Sequence, residues 1–192
     1  MARTSSISKE MLVTSLAVVF RRHGYEGASM AELSKETGLQ KASLYHRFPG
    51  GKEEMANAVL DYVNNVVEEN IVKPLDNPEI TPSEKTAILI KNLEIIYNGG
   101  NNSCLYNVLS YPVSEKSPFA DTIKRAFNTL STTISKLLQE YGVDVESADA
   151  KASTILMLLQ GSLVLCRGTD STKPFEDAIQ QIKNMITMVQ AS

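Results

Sequence analysis

Apolar residues recur at helical spacing along almost the whole chain, and no stretch alternates with the period of two that a half-buried strand requires. Leu12, Leu16, Val19 and Phe20 form one stripe, ended by Gly24. Met55, Val59, Tyr62, Val63 and Val66 form another, predicted to run from Lys52 to about Lys73, after which Pro74 and Pro78 bracket a loop. Thr81-Pro82-Ser83-Glu84 reads as a helix start, with a capping Thr, Pro at the first helical position and Glu closing a capping box. That helix carries Leu89, Leu93, Ile96 and Tyr97 and stops at Gly99-Gly100. A short apolar segment from Cys104 to Leu109 precedes Pro112, and Phe119, Ile123, Phe127, Leu130, Ile134, Leu137 and Tyr141 form the cleanest stripe. Two last helices are expected over Ser147 to Arg167 and Pro174 to Val189. The predicted class is all-α.

Three short helices near the start carry the most specific pattern. Ser29-Met30-Ala31-Glu32 is a capping box, and Gly38-Leu39 supplies a tight turn in which glycine takes a positive φ at little cost. The next helix, Lys41 to Phe48, sets Leu44 and Phe48 toward a core and Lys41, Ser43, Tyr45, His46 and Arg47 outward. Two helices joined by a short glycine turn, the second with polar and basic groups outside, form the helix-turn-helix arrangement.

Charge sharpens this division. The 192 residues carry a net charge of −3, which by itself argues against nucleic acid as a partner. Residues 1–52 hold eight basic and four acidic side chains, a surplus of +4 against −7 for the remainder. That asymmetry suggests a nucleic-acid-facing module, 1–52, joined to an acidic helical body, 53–192. Two distant cysteines exclude a disulfide scaffold and a multi-cysteine zinc site. The longest strongly apolar run, Ile155 to Cys166, is interrupted by Gln160, Gly161 and Ser162 and falls short of a membrane span, so a cytoplasmic location is expected. A phosphate-cradling glycine loop, a Gly-x-Ser-x-Gly elbow and a metal-ligand cluster are all absent, so neither an enzyme nor a cofactor-dependent protein is expected.

The same residues resemble a known family. Phe20-Arg21-Arg22-His23-Gly24-Tyr25, then Ser29-Met30-Ala31-Glu32-Leu33, Thr37-Gly38-Leu39, Ser43-Leu44-Tyr45-His46, Phe48 and Lys52-Glu53 are similar to the N-terminal domain of TetR-family transcription regulators. The match runs over roughly residues 9–56. Phe48-Pro49-Gly50-Gly51-Lys52-Glu53 and Gly161-Ser162-Leu163-Val164-Leu165-Cys166-Arg167, followed by Lys173-Pro174, resemble the LmrA/YxaF-like subgroup. Gln40 departs from the family, which often has Ser as the cap there; Gln caps poorly and is expected to contact DNA instead.

Candidate DNA contacts are therefore Gln40, Lys41, Ala42, Ser43 and His46 toward base edges, and Tyr45, Lys52, Thr4, Ser29 and Met30 toward the backbone. The helix from Ser147 is apolar nearly all round and needs cover on two sides. The resemblance implies a four-helix bundle between two copies, with Leu156, Leu159, Leu163, Ile182, Met185 and Val189 at the homodimer interface. Tyr62, Val66, Leu93, Ile96, Tyr97, Cys104, Tyr106, Phe119, Ile123, Phe127 and Met157 are candidates to line a ligand pocket. Such residues serve equally as plain core. For its subgroup the resemblance implies a flavonoid-like aromatic inducer. The expected function is a ligand-responsive repressor released from a palindromic double-stranded operator, with a redox-sensing repressor using Cys104 or Cys166 as the alternative.

Overall fold

A computed structural model describes residues 7–110 and 117–188, and among these no strand occurs. The helices are α1 (Lys9–Gly27), α2 (Met30–Thr37), α3 (Lys41–Arg47), α4 (Gly51–Val67), α5 (Lys73–Asp76), α6 (Pro82–Ile96), α7 (Leu105–Leu109), α8 (Ala120–Glu140), α9 (Val145–Thr169) and α10 (Lys173–Thr187). The chain forms two compact units. One takes in the described residues of Met1–Val63 and Leu105–Asp121, and the other those of Asn64–Cys104 and Thr122–Ser192. This division differs from a single cut after residue 52, because α7 packs on α1 although some eighty residues separate them.

In the first unit, Leu12, Leu16, Phe20, Leu33, Leu44, Met55 and Val59 are fully or almost fully buried. The expected stop of the first stripe is visible as a break: Gly24 lies inside α1 at φ +68°, ψ −178°. Phe20 stacks on Tyr25, whose ring meets Phe119 edge-on at 5.0 Å. Tyr106 and Phe119, read from sequence as pocket candidates, are instead buried in this unit, at 2% and 0% exposure.

In the second unit α10 packs along α9 and also meets α6. The Thr81–Glu84 capping box forms as the sequence predicts. Where a loop was expected from Pro74, the chain stays helical to Asp76 by widening into a π-helical segment, Glu68–Val72. Proline causes this: Pro74 has no amide to offer, and its ring would collide with the Asn70 carbonyl in an α-helical register. The Lys73 amide donates to the Glu68 carbonyl five residues back, and the Asn92 side-chain amide of α6 donates to the Asn70 carbonyl at 2.5 Å. Gly100, at φ +94°, sits so close to α10 that a Cβ there would stand 2.7 Å from that of Phe175. Lys85 is 2% exposed and donates to Glu140 at 2.6 Å, joining α6 to α8.

The helix α9 is longer than its apolar run suggests. Its best 18-residue window has mean hydropathy 1.2, enough by length and composition to cross a membrane, and a third of that window is buried. Asp144, overlooked in the sequence pattern, caps it by accepting from the Ser147 amide at 3.0 Å.

Candidate nucleic-acid interface

The first unit builds its outer surface from two short helices, the first of them capped by a side chain, and the turn between them. At the start of α2, Ser29 Oγ accepts from the Glu32 amide at 3.2 Å, while Glu32 Oε2 accepts from the Ser29 amide and hydroxyl, each at 3.0 Å. These donors hold the Glu32 carboxyl below its ordinary range. A carboxylate of the chain itself thus occupies part of the helix N-terminus expected to receive a phosphate. An incoming phosphate is left with the amides of Met30 and Ala31, the orphan donors of the first turn. The turn that follows is held by Ser34 Oγ donating to the Leu39 carbonyl at 2.5 Å, and Gly38 takes φ +68°.

The α3 helix is anchored by one side chain. Leu44 is fully buried, with Phe48 just beyond the helix end at 7% exposure. Every other position of α3 faces solvent: Lys41, Ala42, Ser43, Tyr45, His46 and Arg47 are all exposed. Tyr45 is 49% exposed, so it is not a core aromatic. Gln40 is exposed and makes no capping hydrogen bond, as its poor capping chemistry predicts. Arg47 donates to the Ile7 carbonyl at 3.4 Å, which ties it to the start of α1. Among the described residues the side chains of Gln40, Lys41, Ser43, Tyr45 and His46 make no hydrogen bond or ion pair, so toward those residues this face presents a set of donors without partners. Such a face complements phosphate oxygens and base-edge acceptors.

Lys52 opens α4 under a constraint absent from the sequence reading. Its ammonium lies 4.5 Å from the centre of the Tyr25 ring and 3.5 Å from the Glu26 carbonyl. Tyr25 is therefore a further functional candidate, because its ring fixes where the Lys52 charge stands. The Phe20 to Tyr25 pattern contains it, but only the fold brings Tyr25 to Lys52. His23 Nε2 lies 3.4 Å from Glu32 Oε1, which accounts for that histidine structurally. Thr4 lies outside the described residues.

The remaining candidates require two corrections. The ligand candidates are divided between the two units. Tyr62, Tyr106 and Phe119 fall in the first unit and Val66, Leu93, Ile96, Tyr97, Cys104, Ile123, Phe127 and Met157 in the second. Met157 is 66% exposed, on the outside of α9, and cannot line an interior pocket. Two clefts described in the second unit, of about 270 and 360 Å³, are lined by other residues.

Three of the dimer candidates face inward. Leu159, Leu163 and Ile182 are buried at 4%, 5% and 0% within the chain's own core, and Leu156 and Met185 are half-buried. The outward large apolar side chains are Val145, at the start of α9, Met157, Val164 and Leu165 further along it, and Met188 just beyond α10. A helix whose middle is apolar nearly all round shows little sequence contrast between its faces there, so its rotational phase is set by packing. Gly161 has open space around it on that same α9 face. Val189 lies outside the described residues.

Comparison with known proteins bears on both units. Residues 12–59 match the family described as bacterial regulatory proteins, tetR family, and residues 97–181 match the C-terminal domain of LmrA/YxaF-like transcriptional regulators. The chain is 24% identical over 184 residues to the uncharacterized HTH-type transcriptional regulator YxaF of Bacillus subtilis (strain 168), covering 93% of this chain and 95% of that one. It is 21% identical over 175 residues to the HTH-type transcriptional regulator LmrA of the same organism, covering 87% and 90%. Among solved structures, a TetR transcriptional regulator from Legionella pneumophila shares the fold with TM-score 0.79 at 22% identity, covering 96% of this chain and all of that one.

Proposed function

The chain belongs to the TetR family of transcriptional regulators, with an LmrA/YxaF-like C-terminal domain, and on that premise we propose that it is a homodimeric repressor released from its operator by a small ligand. The carrying observation is α3: exposed side-chain donors without partners among the described residues, on a helix held by Leu44 and Phe48. Lys41, Ser43 and His46, with Gln40 and Ala42, read base edges in the major groove, and Tyr45 and Lys52 hold phosphates. Ser29, Met30 and Thr4 add backbone contacts.

Dimerisation follows from the exposed apolar face of α9 and α10. Leaving Met157, Val164, Leu165 and Met188 in water is unfavourable, and a second copy presenting the same stripe covers them. Gly161 permits close approach of the partner helix. A two-fold dimer reads a roughly palindromic operator with half-sites about one helical turn apart.

The ligand is a small apolar, planar molecule of flavonoid type, seated by repacking of Leu93, Ile96, Tyr97, Ile123 and Phe127. Val66, on the last turn of α4, extends that set, and α4 is the lever. Ligand binding releases DNA only if it favours the spacing of recognition helices that does not fit the operator. Both cysteines are buried, at 4% and 6% exposure, an environment in which thiols are usually inert, and this favours ligand sensing over redox sensing.

Selection of bound duplexes from a random pool, repeated with candidate planar aromatic ligands, tests this reading. Two-fold symmetric duplexes released by one of those ligands are expected. Failure to enrich any duplex would refute it.

A further inference from the structure

The second unit carries a cleft of about 360 Å³ between α6 and α10 that none of the roles above uses. Its lining includes the apolar residues Ala87 and Ile90 and two lysines, Lys91 from α6 and Lys183 from α10. The body that holds this cleft is acidic overall, and several of its lysines stand in ion pairs: Lys73 with Glu69, Lys85 with Glu140, Lys136 with Asp76, Lys173 with Asp177. Lys91 and Lys183 have no such partner among the described residues, although Glu94 lines the same cleft. Two cations against one carboxylate leave the cleft with a surplus of +1. Ser83 also lines it, and its hydroxyl makes no hydrogen bond among the described residues. The Thr187 hydroxyl is engaged by its own helix, donating to the Lys183 carbonyl at 3.0 Å, so it is not a ligand donor.

We propose that this cleft binds an amphipathic organic anion, a carboxylate with a short aliphatic tail. The carboxylate is held by Lys91 and Lys183, the tail lies on Ala87 and Ile90, and Ser83 is a supplementary donor. The volume falls at the small end of ligand pockets, about 300 to 1,000 Å³, and suits a chain of modest length. Because the anion contacts two helices at once, it ties α6 to α10, whose other face carries Met185 and, just past the helix end, Met188. The site is separate from the planar-ligand pocket and does not rest on the DNA-binding reading.

The test is titration of the full chain, without DNA, by sodium decanoate below its micellar concentration, followed through the methyl signals of Ile90 and Ala87. Saturable displacement of both signals is expected, with n-decanol binding about tenfold more weakly. The Lys91→Ala/Lys183→Ala double variant should lose about tenfold in affinity with its melting temperature kept, while Lys124→Ala, an exposed lysine elsewhere, should bind as the wild type does. No saturable binding, equal affinity for decanol, or undiminished binding by the double variant would each overturn the proposal.

Discussion

The helices α3 and α9 each expose more than a self-sufficient domain needs, and what they expose differs. Only Leu44 of α3 is buried, and the rest of its surface is made of donors such as Lys41, Ser43, Tyr45 and His46. By contrast α9 buries Ile155, Leu159 and Leu163 inside and still shows Met157, Val164 and Leu165 outside. Polar groups without partners cost little in water but bind strongly where acceptors converge, whereas exposed apolar side chains gain by leaving water altogether. The first surface therefore fits a polyanion, and the second fits a copy of itself.

The largest expected effect breaks the apolar side of this contrast. Met157→Asp combined with Leu165→Asp leaves the inner face of α9 intact but charges the outer one. Analytical ultracentrifugation should then show monomers. Duplex binding should fall to the non-specific level, about a thousandfold or more below the specific one. A dimer that survives both charges would mean that α9 does not form the interface.

Next in size is the polar side. Lys41→Ala or Tyr45→Ala should each weaken duplex binding by about 1 to 3 kcal/mol while leaving the melting temperature unchanged, because neither side chain supports the core. Fluorescence anisotropy and thermal denaturation, run side by side, separate the two effects.

A third substitution sharpens the comparison by acting on neither surface. Glu140→Ala strands the buried Lys85 ammonium and should cost about 2 kcal/mol in chemical denaturation. The figure lies below that for a fully buried pair because the Glu140 side chain is 37% exposed. Its effect on duplex affinity at fixed folded concentration should be negligible.

The smallest effect lies at the α2 cap. Ser29→Ala removes a capping oxygen, at about 1 kcal/mol. It also removes the hydroxyl that helps hold the Glu32 carboxyl below its ordinary range. A carboxyl depressed in the folded state contributes stability above its unfolded pKa, and that contribution is lost as pH falls through the folded value. The wild type should therefore lose more stability on acidification than Ser29→Ala, which denaturation midpoints measured from pH 7 down to about pH 3 would reveal.

The sequence was most readable where local chemistry decides structure. The capping boxes at Ser29 and Thr81, the left-handed turn at Gly38 and the outward face of α3 all depend on residues within a few positions of one another. What could not be read depends on distant packing. Tyr106 and Phe119 look like pocket aromatics in sequence, yet they fill the unit that contains α1, because α7 returns to it. Met157 and Leu159 are equally apolar and two residues apart, and only the packing of α10 along α9 sends one outward and the other in. At Pro74 the sequence signals a break, yet the chain does not leave the helix there. A π-helical turn, supported by Asn92, absorbs the proline and the helix continues.

Duplex binding through the outer face of α3 is the property on which every other role of this chain as a repressor depends. The most direct measurement is an anisotropy titration of a duplex selected by the wild-type chain, comparing wild type, Lys41→Ala and Tyr45→Ala at one fixed salt concentration. The predicted result is a loss of about fivefold or more for each variant, with melting temperatures preserved. Equal affinity for all three proteins would contradict it.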